Sequence, residues 1–228
     1  MSAKDRLIFA LDVNDKSEAR RFVQVLYPYV GVFKVGLELF LKCGSDIVKS
    51  LSGYVPVFLD LKLHDIPNTV GNAAAVVNGF GASYLTVFAD SDEAIRRATE
   101  VTPSLKILAV SHLTSSAFSE RDRPRFMNNI LLAKDAGASG AICPGSMLRP
   151  VRQVVGKNFI LITPGIRLEG DAVHDQRVII TPRKAILDGA DKIVVGRPIR
   201  TAPNPEDVAK KIVDQIEEAL EEVSSNAE

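Results

Sequence analysis

The chain has 228 residues, 46% of them hydrophobic and 25% charged, which allows one sizeable core and shows no bias toward disorder. Its 28 basic and 28 acidic residues cancel, which argues against a nucleic-acid or membrane-surface role while leaving room for a local cationic pocket for a small anion. The two cysteines lie outside any CxxC or Cys/His pattern, and the N-terminal apolar run is cut short by Asp12, so the expectation is a reduced, cytoplasmic protein with neither signal peptide nor membrane span.

Taken in order, short apolar runs alternate with amphipathic segments. Leu7 to Leu11 predicts a strand and Ser17 to Leu26 a helix; Val32 to Val35 and Leu37 to Leu51 repeat the pair. Val55 to Leu59 reads as a buried strand, and the helix Thr69 to Phe80 follows a charged segment. Strands at Tyr84 to Phe88 and Ile107 to Val110 precede helices at Asp92 to Thr99 and Arg125 to Ala136. The sixth strand, Gly140 to Cys143, is followed by Ser146 to Val155, where Pro150 allows only short helical pieces or a first-turn position. Phe159 to Thr163, the helix Pro182 to Leu187, Lys192 to Val195 and the helix Pro205 to Val223 complete the chain, with a polar tail from about residue 224.

Eight strand-helix units in one α/β domain spanning residues 1–228 predict a (β/α)8 TIM barrel. An open dinucleotide-binding sheet would carry a glycine fingerprint after the first strand, where this chain has Asp12-Val13-Asn14-Asp15. In a barrel the active site lies at the C-terminal strand ends, so the residues just past each strand become the candidates.

The third strand end holds the densest chemistry: Asp60-Leu61-Lys62-Leu63-His64-Asp65-Ile66-Pro67-Asn68-Thr69. On a regular strand Asp60 and Lys62 share a face, with Asp65 in the following loop. Charges there are costly unless they pair or take part in chemistry. An ion pair that merely fills the barrel would account for Asp60 and Lys62, but Asp12 and Lys34 on the same rim weaken that plainer reading.

Other strand ends add Thr114-Ser115, Pro164-Gly165-Ile166-Arg167 and Gly196-Arg197-Pro198. Loops after the seventh and eighth strands of barrels commonly bind phosphate, and Gly196 with Arg197 suits that use. The polar stretch Arg167 to Gln176, containing Gly170, has the composition of a lid. His64, His112 and His174 lack metal-ligand spacing. Glu217 to Glu222 read as the solvated face of the last helix.

These motifs, with Ala10-Leu11-Asp12-Val13, Phe33-Lys34-Val35-Gly36 and Asp175-Gln176-Arg177, resemble those of the orotidine 5'-monophosphate decarboxylase family along nearly the whole chain. The resemblance implies a cofactor-free, metal-free homodimer that converts orotidylate to UMP and CO2 in pyrimidine synthesis. It implies that Lys62 delivers the proton to C6, that Asp60 faces the departing CO2, and that Lys34 and Asp65 complete an alternating charge network. Asp65 and Thr69 would serve the neighbouring subunit's site. Asp12, Lys34 and Thr69 would contact the ribose, and Thr114 the pyrimidine. Gln176, Gly196 and Arg197 would grip the phosphate, with Ile66, Pro164 and Arg167 as further substrate contacts.

The chain departs from the family pattern at Phe88, often a histidine there, at the turn Ala89-Asp90-Ser91-Asp92, at His112, and in the short segment Ser115 to Ile130. Two alternatives stay open: a magnesium-dependent sugar-phosphate decarboxylase or aldolase of the same suprafamily, and a catalytically inactive nucleotide-binding scaffold.

Overall fold

The computed structural model describes residues 1–112, 118–168 and 180–225. Eight parallel strands close in sequence order into a barrel: β1 (Leu7–Ala10), β2 (Val32–Gly36), β3 (Val57–Leu63), β4 (Tyr84–Phe88), β5 (Lys106–Val110), β6 (Gly140–Ile142), β7 (Ile160–Thr163) and β8 (Lys192–Val195). Closure comes from β8 pairing with β1, Leu7 opposite Ile193.

The strands are buried on both faces, which is why they read as continuous apolar runs. One face fills the barrel with Ile8, Val32, Phe58, Tyr84, Leu108, Val110, Ile142 and Ile162. The other packs against the helical ring in a single larger core that includes Phe9, Phe33 and Leu85.

The helices are α1 (Ala3–Arg6), α2 (Lys16–Leu26), α3 (Leu37–Cys43), α4 (Ser45–Ser52), α5 (Pro67–Asn78), α6 (Asp92–Val101), α7 (Arg123–Asp135), α8 (Leu148–Val155), α9 (Pro182–Leu187), α10 (Arg197–Arg200) and α11 (Pro205–Ser225). The predicted helix Leu37 to Leu51 is divided at Gly44, whose φ of 62° belongs to the left-handed region. Helix α5 starts before the predicted Thr69, because Pro67 is pre-set for a first helical position and needs no N–H there. Pro150 lies in the first turn of α8 and is tolerated for the same reason.

Two short helices escaped prediction. In α1, Ser2 and Asp5 form a reciprocal capping box; α10 follows β8 directly, after Gly196. Helix α1 is tied to the barrel by the Lys192 ammonium, which donates to the Asp5 carbonyl, and by Arg6 Nη1, which donates to the Asp191 carbonyl at 3.2 Å. Among the described residues no helix is long and apolar enough to cross a membrane.

Candidate active site

Strand β3 is where the sequence pattern and the backbone part company. It runs on past the expected end at Leu59, and its pairing with β4 slips: Leu59 lies opposite Leu85, but Leu63 lies opposite Val87. Residues 60–62 therefore face Thr86 alone, a bulge of the kind that re-aims side chains beside active sites. Lys62 has φ 52°, the only positive φ outside glycine among the described residues. Asp60 and Lys62 do converge, as expected, but through this irregularity rather than through strand alternation.

The bulge brings four charged groups together at the C-terminal mouth of the barrel. Lys62 Nζ lies 2.7 Å from Asp60 Oδ1. Lys34 Nζ lies 3.6 Å from Asp60 Oδ2 and 3.3 Å from Asp12 Oδ1. Gly36 pairs with Asp60 across the β2–β3 ladder, and a β-carbon at Gly36 would sit 3.3 Å from the Lys34 ammonium, so glycine keeps that space open. Asp12, Lys34, Asp60 and Lys62 line a cleft of about 140 Å³.

The Asp60 side chain is only 13% exposed. Burial pushes its carboxyl up, but Lys34, Lys62 and the hydrogen bonds from Lys62 and Thr86 outweigh it and hold the group below the usual carboxylate range. The cleft therefore presents an ionised carboxylate between two cations. Such an arrangement can repel one anionic group while offering an ammonium proton to a carbon that becomes negative.

Sequence reasoning missed Thr86. Its hydroxyl donates to Asp60 Oδ1 at 2.9 Å and accepts from the Lys62 backbone N–H at 2.9 Å. The available signal was a lone polar residue inside the apolar run Tyr84-Leu85-Thr86-Val87-Phe88.

The remaining candidates are dispersed. Asp65, Ile66 and Thr69 are exposed. Asp65 Oδ1 accepts from the Ile66 N–H at 2.7 Å, and among the described residues it makes no ion pair with either lysine of the cleft. Gly196 borders the cleft: a β-carbon there would lie 3.4 Å from Asp12 Oδ2. Arg197, half-buried, opens α10 directly after it.

Arg167 is buried; its backbone N–H donates to the Ile180 carbonyl at 3.2 Å and its guanidinium to the Ile166 carbonyl at 2.8 Å. Pro164 is half-buried behind the end of β7. Thr114, Gln176 and most of the expected lid lie outside the described residues.

The departure at Phe88 has a local counterpart. The rings of Phe88 and His64 stand 4.9 Å apart, and His64 Nε2 lies 2.7 Å from Asp90 Oδ2. His64 is thus engaged with the turn after β4. Among the described residues no three His, Cys, Asp or Glu side chains are grouped to hold a metal. Larger grooves, about 610 Å³ between α2 and α4 and about 410 Å³ beside α9 and α11, lie on the helical ring, away from the four-charge network.

A family described as orotidine 5'-phosphate decarboxylase / HUMPS matches residues 5–212. The chain is 39% identical to a protein of Heliobacterium modesticaldum named orotidine 5'-phosphate decarboxylase, covering 96% of this chain and 99% of that one. A protein of the same name from Syntrophotalea carbinolica is also 39% identical, over 97% and 99% of the two chains. Among solved structures, orotidine 5'-phosphate decarboxylase from Pyrococcus horikoshii superposes with a TM-score of 0.80 at 30% identity, covering 92% of this chain and 98% of that one. The enzyme of that name from Lactobacillus acidophilus gives 0.78 at 32%, with the same coverage.

Proposed function

The chain belongs to the orotidine 5'-phosphate decarboxylase / HUMPS family, and on that premise we propose that it decarboxylates orotidine 5'-monophosphate to UMP and CO2 without a cofactor. The observation that carries the reading is the unbroken sequence Asp12, Lys34, Asp60, Lys62, whose opposite charges alternate across the barrel mouth at 3.3, 3.6 and 2.7 Å.

The chemistry follows from what the substrate lacks. Breaking the bond between C6 and its carboxylate leaves an electron pair on C6 that the pyrimidine ring delocalises poorly. The enzyme must stabilise that charge where it forms, and a fixed cation in a water-poor cleft is the effective means. Lys62 is the cation and the acid. As CO2 departs, one ammonium proton of Lys62 moves to C6, yielding UMP and a neutral amine that solvent reprotonates.

Asp60 faces the scissile carboxylate and orients Lys62; Lys34 balances Asp60 and reaches the ribose together with Asp12. Gly196, Arg197 and Gln176 bind the phosphate, Thr114 the pyrimidine, and Ile66, Pro164 and Arg167 border the substrate. Asp65 and Thr69 are exposed and, among the described residues, make no ion pair or side-chain hydrogen bond to Asp12, Lys34, Asp60 or Lys62, which supports a homodimer in which each completes the neighbouring site. The exposed Ile66 beside them, with 66% of its surface open, fits such an interface. The enzyme works in the cytoplasm.

The test is spectroscopic. Purified protein should consume orotidylate, seen as loss of its absorbance, at the same rate with and without EDTA. Absence of turnover at high enzyme concentration would sink the proposal. Loss of turnover on chelation would transfer the chain to the magnesium-dependent branch of its family.

A further inference from the structure

A strand that carries an extra stretch of residues leaves backbone groups without ladder partners, and each must be satisfied by something else. At the β3 bulge one such group, the Lys62 N–H, is taken by a side-chain oxygen. Thr86 Oγ1 receives the Lys62 N–H at 2.9 Å and sends its own proton to Asp60 Oδ1 at 2.9 Å. The same Oδ1 takes the Lys62 ammonium at 2.7 Å. Thr86, Asp60 and Lys62 therefore form a closed ring in which the backbone and side-chain ends of Lys62 are tied to the same two-atom relay.

Thr86 has no exposed surface, so nothing dissolved in the cleft can touch it. Among the described residues its side-chain hydrogen bonds go to Asp60 and Lys62 of β3, and Leu108 lies opposite it on β5. A buried hydroxyl with one proton and two lone pairs is well used here: its donor and one acceptor are each committed to a residue of the cleft.

We infer that Thr86 is a positioning residue for decarboxylation, fixing the Asp60 carboxylate and the left-handed Lys62 backbone in register without contacting substrate. The inference rests on the decarboxylase reading above. A group in this role acts on turnover more than on affinity, because misplacing a reacting group by an ångström can cost about a hundredfold in rate.

Three substitutions separate the hydroxyl from packing. Thr86→Val keeps the shape and removes the hydroxyl; Thr86→Ser keeps the hydroxyl and removes a methyl; Thr86→Ala removes both. The expected result is a fall in kcat of roughly ten- to a hundredfold for Val, with KM changing much less, and recovery of most of kcat in Ser. The acidic limb of the pH profile should also move upward in Val and return in Ser. Asp60 loses one donor in Val, while Lys34 from β2, Lys62 from β3 and Asp12 beyond Lys34 still face it.

A purely structural role predicts the reverse order, with Val near normal and Ser impaired. A Val variant with wild-type kcat and pH profile would overturn the inference. Should Val fail to fold, the Ala to Ser ratio still reads the hydroxyl, and equal kcat in those two variants would overturn it as well. If the wild-type protein itself shows no turnover in the same assay, the decarboxylase reading fails instead.

Discussion

Lys62 lies 2.7 Å from Asp60 by its ammonium while its backbone stands at φ 52°, so this ion pair is closed by a backbone conformation that L-residues other than glycine disfavour. The left-handed region brings the β-carbon close to the following carbonyl oxygen, and residues held there cluster at functional sites. The strain persists because Thr86 and the flanking ladder pairs over-determine the bulge.

This strain is measurable by comparing two variants that both remove the ammonium. Lys62→Gly should be more stable than Lys62→Ala by about 1 kcal/mol, because only alanine keeps the β-carbon. Urea denaturation monitored by circular dichroism gives the difference. Both variants should retain nucleotide binding and lose nearly all decarboxylation. Equal midpoints would show that the bulge carries no such strain, and near-normal activity in either would remove Lys62 as proton donor.

The proposed sharing of sites between subunits predicts complementation. Lys62→Ala and Asp65→Ala should each be almost inactive alone. Mixed under conditions that exchange subunits, they should recover roughly a quarter of wild-type activity, since half the dimers are hybrids and one of the two sites in each hybrid is intact. No recovery despite proven exchange would place both residues in one site.

Arg197, at the start of α10 beside the cleft, tests how remote binding energy is used. Arg197→Ala should raise KM for orotidylate and also lower kcat by roughly tenfold or more, because phosphate contacts assist closure over the reacting ring. Orotidine, which lacks the phosphate, should be turned over slowly and alike by both proteins. Unchanged kcat at saturating orotidylate would contradict the idea.

Lys192 offers a prediction about stability rather than catalysis. Burial lowers its pKa from 10.5 to about 8, with Lys106 and Arg6 adding to the effect and Asp5 and Asp191 opposing it. The unfolded chain therefore holds this proton over a range where the folded protein releases it, so stability should rise with pH between about 8 and 10.5. The gain from this group is at most about 3 kcal/mol. The unfolding free energy of wild type minus that of Lys192→Met should therefore become more positive from pH 7 to pH 10. A pH-independent difference would mean that the buried lysine keeps its ordinary affinity for protons.

Much of this molecule is legible from one dimension. Continuous apolar runs such as Leu7-Ile8-Phe9-Ala10 and Ile193-Val194-Val195 read as strands covered on both faces, and eight such strands alternating with amphipathic segments leave the closed barrel as the economical solution. Once that is granted, chain order alone puts Asp12, Lys34 and Asp60 at strand ends on one rim. The helices were less legible at their ends, where a single Gly44 divides one segment and Pro67 starts another early.

The bulge in β3 was not legible at all. Alternation along a strand is a property of that segment, so the barrel, its charged rim and the residue types available for chemistry can be read from the residues in order. The register between β3 and β4 is a property of two segments meeting. It takes the folded chain to set residues 60–62 opposite Thr86 alone, to turn Lys62 through a left-handed backbone, and to let one buried hydroxyl hold Asp60 and Lys62 together.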